Sequence, residues 1–223
     1  MLRIIIGNKA YSSWSLRGWL AVKQSGLPFE EVAVPMYNAA WPERRMQPDL
    51  VISNGKVPTL WDGDIAVWDS IAILDYLDTV TGGTRFWPTD KAALALARSM
   101  AAEMHSGYVP LRKACSMNVR KVYPPQTPST AVQENVERIV ALWEEARRRF
   151  GAGGPYLFGA FGAVDIMFAP VVYRFHGYSL PTSPIARLYT DAMLVHPWMA
   201  EWVAGAQAES WVLDQYEQGP DYS

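Results

Sequence analysis

Gly55-Lys56-Val57-Pro58-Thr59-Leu60-Trp61-Asp62-Gly63-Asp64-Ile65-Ala66-Val67-Trp68-Asp69-Ser70-Ile71-Ala72-Ile73 is the stretch whose reading decides the fold. Val57 to Trp61 and Ile65 to Trp68 are short apolar runs separated by Asp62-Gly63-Asp64, a turn composition that predicts an antiparallel hairpin. Helical spacing follows at once, from Asp69 to Leu77. Toward the N-terminus, Leu2 to Ile6 is a β-branched run ended by Gly7, suited to a strand buried on both faces. Ser12 to Gln24 then carries Leu16, Trp19, Leu20 and Val22 at helical spacing, with serines at its start and Gly26 at its stop. Phe29 to Pro35 reads as a second strand, and the polar stretch Trp41 to Gln47 as a short helix. The order is β-α-β-α-β-β-α: two parallel strands joined by a helical crossover, then an antiparallel pair.

Toward the C-terminus, Thr81-Gly82-Gly83-Thr84 and Trp87-Pro88-Thr89-Asp90 read as a linker, beyond which strand signals stop. Residues 91 to 118 predict one long helix. Val132, Val136, Ile139, Val140, Trp143 and Phe150 repeat along one helical face that Gly151-Ala152-Gly153-Gly154 ends. Further helices are expected over 163–175 and 197–206. The expected organisation is α/β followed by all-α: a thioredoxin-like domain over 1–82, a linker over 83–90 and an all-helical domain over 91–223.

The 223 residues are 50% hydrophobic, enough for a substantial core, and the net charge is −2. The longest cationic run is Arg147-Arg148-Arg149, which argues against a nucleic-acid partner. The apolar run at the N-terminus is too short for a secretory signal, and no stretch of about 18 apolar residues occurs, so neither export nor a membrane partner is expected. A cytoplasmic location follows. Cys115 is the single cysteine, which excludes an intrachain disulfide, a CxxC pair and a cysteine-based zinc site; no metal is expected. Thiol chemistry here must borrow its thiol.

Three stretches carry candidate chemistry, and the predicted order brings all three to one edge of the sheet. Tyr11-Ser12-Ser13-Trp14-Ser15-Leu16-Arg17 opens the first helix, where a serine serves as an N-cap or donates its hydroxyl to an incoming thiolate; Tyr11 is a competing donor. Pro58 heads a strand, so it marks an edge position or a cis Val57-Pro58 bond that turns the Val57 backbone toward an extended peptide. Asp69-Ser70 either caps the helix that follows or receives the carboxylate and ammonium of an amino-acid head group.

A Ser-x-x-x-x-Arg opening, a Gly-Lys-Val-Pro-Thr-Leu strand start and an acid-Ser-Ile-Ala-Ile helix start, in this order, resemble the glutathione transferases, and the helical half extends the resemblance over nearly the whole chain. The resemblance implies glutathione as co-substrate. It further implies Ser12 as thiol activator, Val57 as backbone clamp, Asp69 with Ser70 as the γ-glutamyl site, and Lys56 reaching the glycyl carboxylate. Ala102-Glu103-Met104-His105-Ser106-Gly107-Tyr108 resembles the fourth helix of bacterial members, which brings His105 toward glutathione. Phe161-Gly162-Ala163-Val164-Asp165-Ile166 resembles the family's buried capping box, with Gly162 where Ser or Thr is usual, so Asp165 is read as structural and the cap as weakened.

The activity implied is transfer of the glutathione thiolate to a small hydrophobic electrophile, as in detoxification, by a homodimer. Ser12-Ser13-Trp14-Ser15-Leu16-Arg17 is also similar to the Ser-Ser-Cys-Ser-Trp-Arg opening of zeta-type maleylacetoacetate isomerases, with Trp14 in place of the cysteine. Glutathione-dependent isomerisation is therefore one alternative. A non-enzymatic regulator on the same scaffold is the other.

Overall fold

The computed structural model describes residues 1–222. β1 (Leu2–Ile6), α1 (Ser13–Ser25) and β2 (Phe29–Ala33) form a crossover unit in which β1 and β2 pair in parallel. β3 (Thr59–Asp62) pairs antiparallel with β1, and β4 (Ile65–Trp68) with β3, giving the strand order β2-β1-β3-β4. α4 (Ser70–Val80) follows β4 directly. The expected β-α-β-α-β-β-α order is present.

Alternation along β1 explains the layers. Ile4 and Ile6 join Leu16, Trp19 and Leu20 of α1 and Ile73, Leu74 and Leu77 of α4, while Ile5 faces the other way, onto Val34, Met36, Trp41 and Leu50. Between β2 and β3 the chain makes two short helices, α2 (Trp41–Arg44) and α3 (Pro48–Val51), rather than the single one read over Trp41 to Gln47. Pro42 and Pro48 each sit in a first turn, where a missing N–H costs nothing.

The helical half comprises α5 (Lys91–Ser106), α6 (Val109–Ala114), α7 (Thr130–Phe150), α8 (Ala163–Gly177), α9 (Pro184–Leu194) and α10 (Pro197–Ala208). α8 is buried almost all round and forms its axis. Two expectations are corrected here. The long helix over 91–118 is broken: α5 ends at Gly107, and Tyr108 adopts φ 57° before α6 starts. The apolar pattern continues through the break because Met104, Tyr108 and Leu111 all enter one core. α9 was not anticipated, although Ser183 caps it and Pro184 occupies its first turn.

Gly162 is the N-cap of α8 and has no side chain to accept from the first turn, so the cap is weakened as expected; the half of the box that remains comes from Asp165. Its carboxylate accepts from Gly162 N–H (2.9 Å) and from Leu157 N–H (3.1 Å), tying the preceding loop to the helix. Burial pushes the Asp165 pKa up to about 7 against the pull of those two N–H groups. α1 is the element both halves share: it packs on α4 and on α8, and buried Arg17 donates Nε–H to Met167 carbonyl (2.9 Å). Among the described residues, no helix is long and apolar enough to cross a membrane.

Candidate active site

A cleft of about 930 Å³ lies between the halves, and the three stretches singled out in the sequence all border it. Ser12, Ser13 and Trp14 come from the start of α1, Lys56, Val57 and Pro58 from the head of β3, and Asp69 and Ser70 from the start of α4. Strand ends and helix N-termini meet on this edge because each helix of the sheet layer begins where a strand finishes.

Ser12 is the N-cap of α1. Its Oγ accepts weakly from Ser15 N–H (3.3 Å) and donates to Ser15 Oγ (2.8 Å), which in turn accepts from Gly7 N–H (2.9 Å). The capping role and the cleft position coexist. The two hydroxyls form a hydrogen-bonded pair that Gly7 N–H anchors to the backbone. Ser15 was not singled out from sequence as a site residue; its i,i+3 spacing from Ser12 was the signal. The N–H groups of Ser13 and Trp14, left without intrahelical partners in a first turn, add partial positive charge at the same place.

Tyr11 is committed elsewhere. Its hydroxyl donates to Glu217 (2.5 Å), and burial, then this bond, pushes its pKa up to about 12. Glu217 belongs to the C-terminal segment, which also carries Tyr216 to the cleft rim.

The Val57-Pro58 peptide bond is cis, and Pro58 packs directly on Gly18 of α1: a Cβ added at Gly18 would lie 2.7 Å from Pro58 Cβ and Cγ. The turn before it is fixed by Ser53 Oγ and Thr59 Oγ1, both donating to Lys56 carbonyl at 2.8 Å, and by Gly55 at φ +66°. Arg45, donating to Asn54 carbonyl (3.0 Å), joins Lys56 on the cleft wall.

Asp69 caps α4 with φ 72°, a conformation that non-glycine residues seldom adopt, its Oδ1 accepting from Ile71 N–H (3.0 Å). Oδ2 stays accessible, 3.4 Å from His105 Nε2. His105 therefore reaches the site through Asp69, from behind Trp14, whose ring it meets edge-on at 5.4 Å. Ser70 is 1% exposed and its Oγ has no partner. A buried orphan hydroxyl at a helix start, beside an exposed carboxylate, is an unfilled half of a hydrogen-bonding site.

The helical half contributes Arg112 and Lys113 of α6 and Arg174 of α8. Sequence reading missed all three, since nothing local distinguishes them. Arg17 Cζ and Arg112 Cζ stand 4.6 and 4.7 Å from the centroid of the Trp14 ring. Burial, then Arg174 and Arg112, pull the Arg17 pKa well down, and burial followed by Arg112 brings Arg174 to about 10. Cys115 is buried behind this wall, and burial raises its pKa, so it offers no accessible thiolate.

Family models described as "Glutathione S-transferase, N-terminal domain" and "Glutathione S-transferase, C-terminal domain" match residues 11–80 and 129–205. Glutathione S-transferase F6 of Arabidopsis thaliana is 24% identical over 202 residues, spanning 88% of this chain and 92% of its own. Among solved structures, a glutathione transferase homolog from Burkholderia with bound glutathione superposes with a TM-score of 0.68 at 23% identity, covering 93% of this chain and 99% of its own. The nitrogen regulation fragment of the yeast prion protein Ure2p does so with 0.66 at 17%, covering 92% and 96%. At these identities the superpositions speak for the fold.

Proposed function

Because the chain belongs to the glutathione S-transferase family, we propose that its cleft binds glutathione and transfers the sulfur to a small electrophile held against the helical half. The observation that carries this reading is the orphan Ser70 hydroxyl beside Asp69, facing Ser12 and Val57 across one cleft. Ser70 and the first turn of α4 receive the γ-glutamyl carboxylate, and Asp69 receives the ammonium. His105 acts on that pair by positioning Asp69. Val57 offers its backbone to the cysteinyl residue, and Lys56, with Arg45 beside it, takes the glycyl carboxylate.

The thiol then lies at the start of α1, where Ser12, backed by Ser15, donates to the thiolate. A free thiol of pKa about 8.5 is only some 3% ionised at pH 7, so complete ionisation gains about 30-fold in nucleophile. The remaining acceleration comes from holding thiolate and electrophile in contact. Conjugation forms a carbon–sulfur bond and expels the leaving group with its bonding pair, and the thiol proton passes to solvent.

Titration of glutathione into the protein, followed by turnover of 1-chloro-2,4-dinitrobenzene, tests this reading. Micromolar to millimolar binding with saturable conjugation is expected. Binding without conjugation would favour the regulatory alternative, whose fold precedent is the yeast nitrogen-regulation fragment. Turnover of maleylacetoacetate in preference to conjugation would favour isomerisation, to which the Ser12-Ser13-x-Ser15 spacing is suited.

The homodimer has a candidate face in an apolar depression of about 540 Å³ bounded by Met46, Val51, Ile52, Trp61 and Trp68. Ile52 and Trp68 border the cleft as well, so pairing there would shelter the glutathione side. Sedimentation of the protein against its Ile52→Glu variant checks it: a dimer that becomes a monomer is expected. The reducing cytoplasm, where thiols stay free, suits this chemistry.

A further inference from the structure

The helical wall of the cleft carries the cations Arg112, Lys113 and Arg174, with buried Arg17 of α1 beside them; Asp69 acts on Arg17 from beyond ion-pair distance. Among the described residues, no carboxylate lies within ion-pair distance of Arg17, Arg112, Lys113 or Arg174. Arg17 and Arg174 spend Nε on the carbonyls of Met167 and Cys115, and Arg17 Nη1 is buried without a partner. Arg112 makes a cation–π contact with Trp14, and Lys113 is exposed on the rim. Burial first, then the charges of Arg174 and Arg112, lower the Arg17 pKa, and burial followed by Arg112 lowers that of Arg174, as befits cations gathered in a poorly hydrated place. Such an arrangement is costly to fold and is relieved by an incoming anion.

Glutathione brings two carboxylates, and both have receptors on the sheet side, at Ser70 and at Lys56. The basic wall lies on α6 and α8, and the conjugation reading places the second substrate there. Resting on the conjugation reading, we propose that the electrophile this cleft selects is an anion, an aromatic or unsaturated carboxylate. Its carboxylate meets Arg112 and Lys113, with Arg174 behind, and its apolar body lies on Trp14, Val109 and Met117. A neutral hydrophobic electrophile leaves the wall uncompensated.

A matched pair separates charge from reactivity: 4-chloro-3,5-dinitrobenzoate and its methyl ester. In each, sulfur adds to the chlorine-bearing carbon, the C–S bond forms, and chloride departs with the C–Cl pair. Each kcat/KM is divided by the uncatalysed rate constant with glutathione, because the ester is intrinsically the more electrophilic. The carboxylate is expected to lead by about tenfold or more after this correction, the lead shrinking as salt is raised. Arg112→Gln and Lys113→Gln should collapse that ratio, Arg112→Lys should keep most of it, and the KM for glutathione should stay put in all three. A wild-type ratio at or below one overturns the proposal. So does a rise in the glutathione KM with the ratio intact, which would assign the wall to a glutathione carboxylate. If neither compound reacts, the conjugation reading has failed, and calorimetry with the unreactive 3,5-dinitrobenzoate still decides: binding tighter than that of its methyl ester, and lost in Arg112→Gln, upholds an anion-selecting wall, and equal binding refutes it.

Discussion

The sheet wall and the helical wall of the cleft treat their polar groups in opposite ways. On the sheet wall, Ser12 and Asp69 each close a helix end by accepting a backbone N–H, and the Lys56 carbonyl is held by two hydroxyls. These groups are fixed before any ligand arrives. On the helical wall, Arg112, Lys113 and Arg174 come from two helices, and among the described residues no carboxylate lies within ion-pair distance of them. The difference teaches that one wall is preorganised by short-range backbone bonding for a constant, peptide-like ligand. The other is tuned by long side chains, which can be exchanged without disturbing the sheet.

Disturbing the support of the sheet wall should therefore have the largest effect. Gly18→Val drives a side chain into Pro58, and with overpacking worth about 1–3 kcal/mol, glutathione affinity should fall on the order of 100-fold, with a lower Tm. Wild-type affinity in calorimetry would show that α1 does not set the Val57 clamp. Next, Ser12→Ala should lower kcat/KM at pH 7 by up to about 30-fold, the deficit closing above pH 8.5 as solvent ionises the thiol unaided. A pH–rate profile reads this directly, since its break should move upward.

Ser70→Ala should raise the KM for glutathione by about tenfold with kcat little changed, since the hydroxyl has no partner to lose in the free protein. An unchanged Tm distinguishes this from a folding defect. Smallest is Tyr11→Phe, for which conjugation should stay within about twofold of wild type, because the hydroxyl is held by Glu217. Burial and that bond raise the Tyr11 pKa to about 12, so the protonated form is favoured in the fold. The stabilisation it provides is fully present below pH 10 and lost as pH rises through about 12. Between pH 6 and 9 the Tm difference from Tyr11→Phe should consequently be constant.

What sequence could reveal follows the same division. Ser12, Val57-Pro58 and Asp69-Ser70 were legible because capping, strand starts and helix starts are written in adjacent residues. The break at Gly107-Tyr108 was hidden because Met104, Tyr108 and Leu111 keep an uninterrupted apolar pattern across it. Ser15 read as one more serine at a helix start, since only the packing of Gly7 N–H against its Oγ shows what it anchors. That Asp165 also holds Leu157 was hidden for a related reason: the bond goes to a loop whose return no local pattern predicts.

By itself, then, the amino-acid order determined the β-α-β-α-β-β-α sheet domain, the helical half and the three stretches that line the cleft, all through signals spanning a few positions. The tertiary structure alone decided that Arg17 and Arg112 both meet the Trp14 ring, that Tyr11 is engaged by the C-terminal segment, and that the helical wall of the cleft is cationic. Those facts depend on how distant helices converge, and charge crowding is a property of distance in space, which no spacing along the chain encodes.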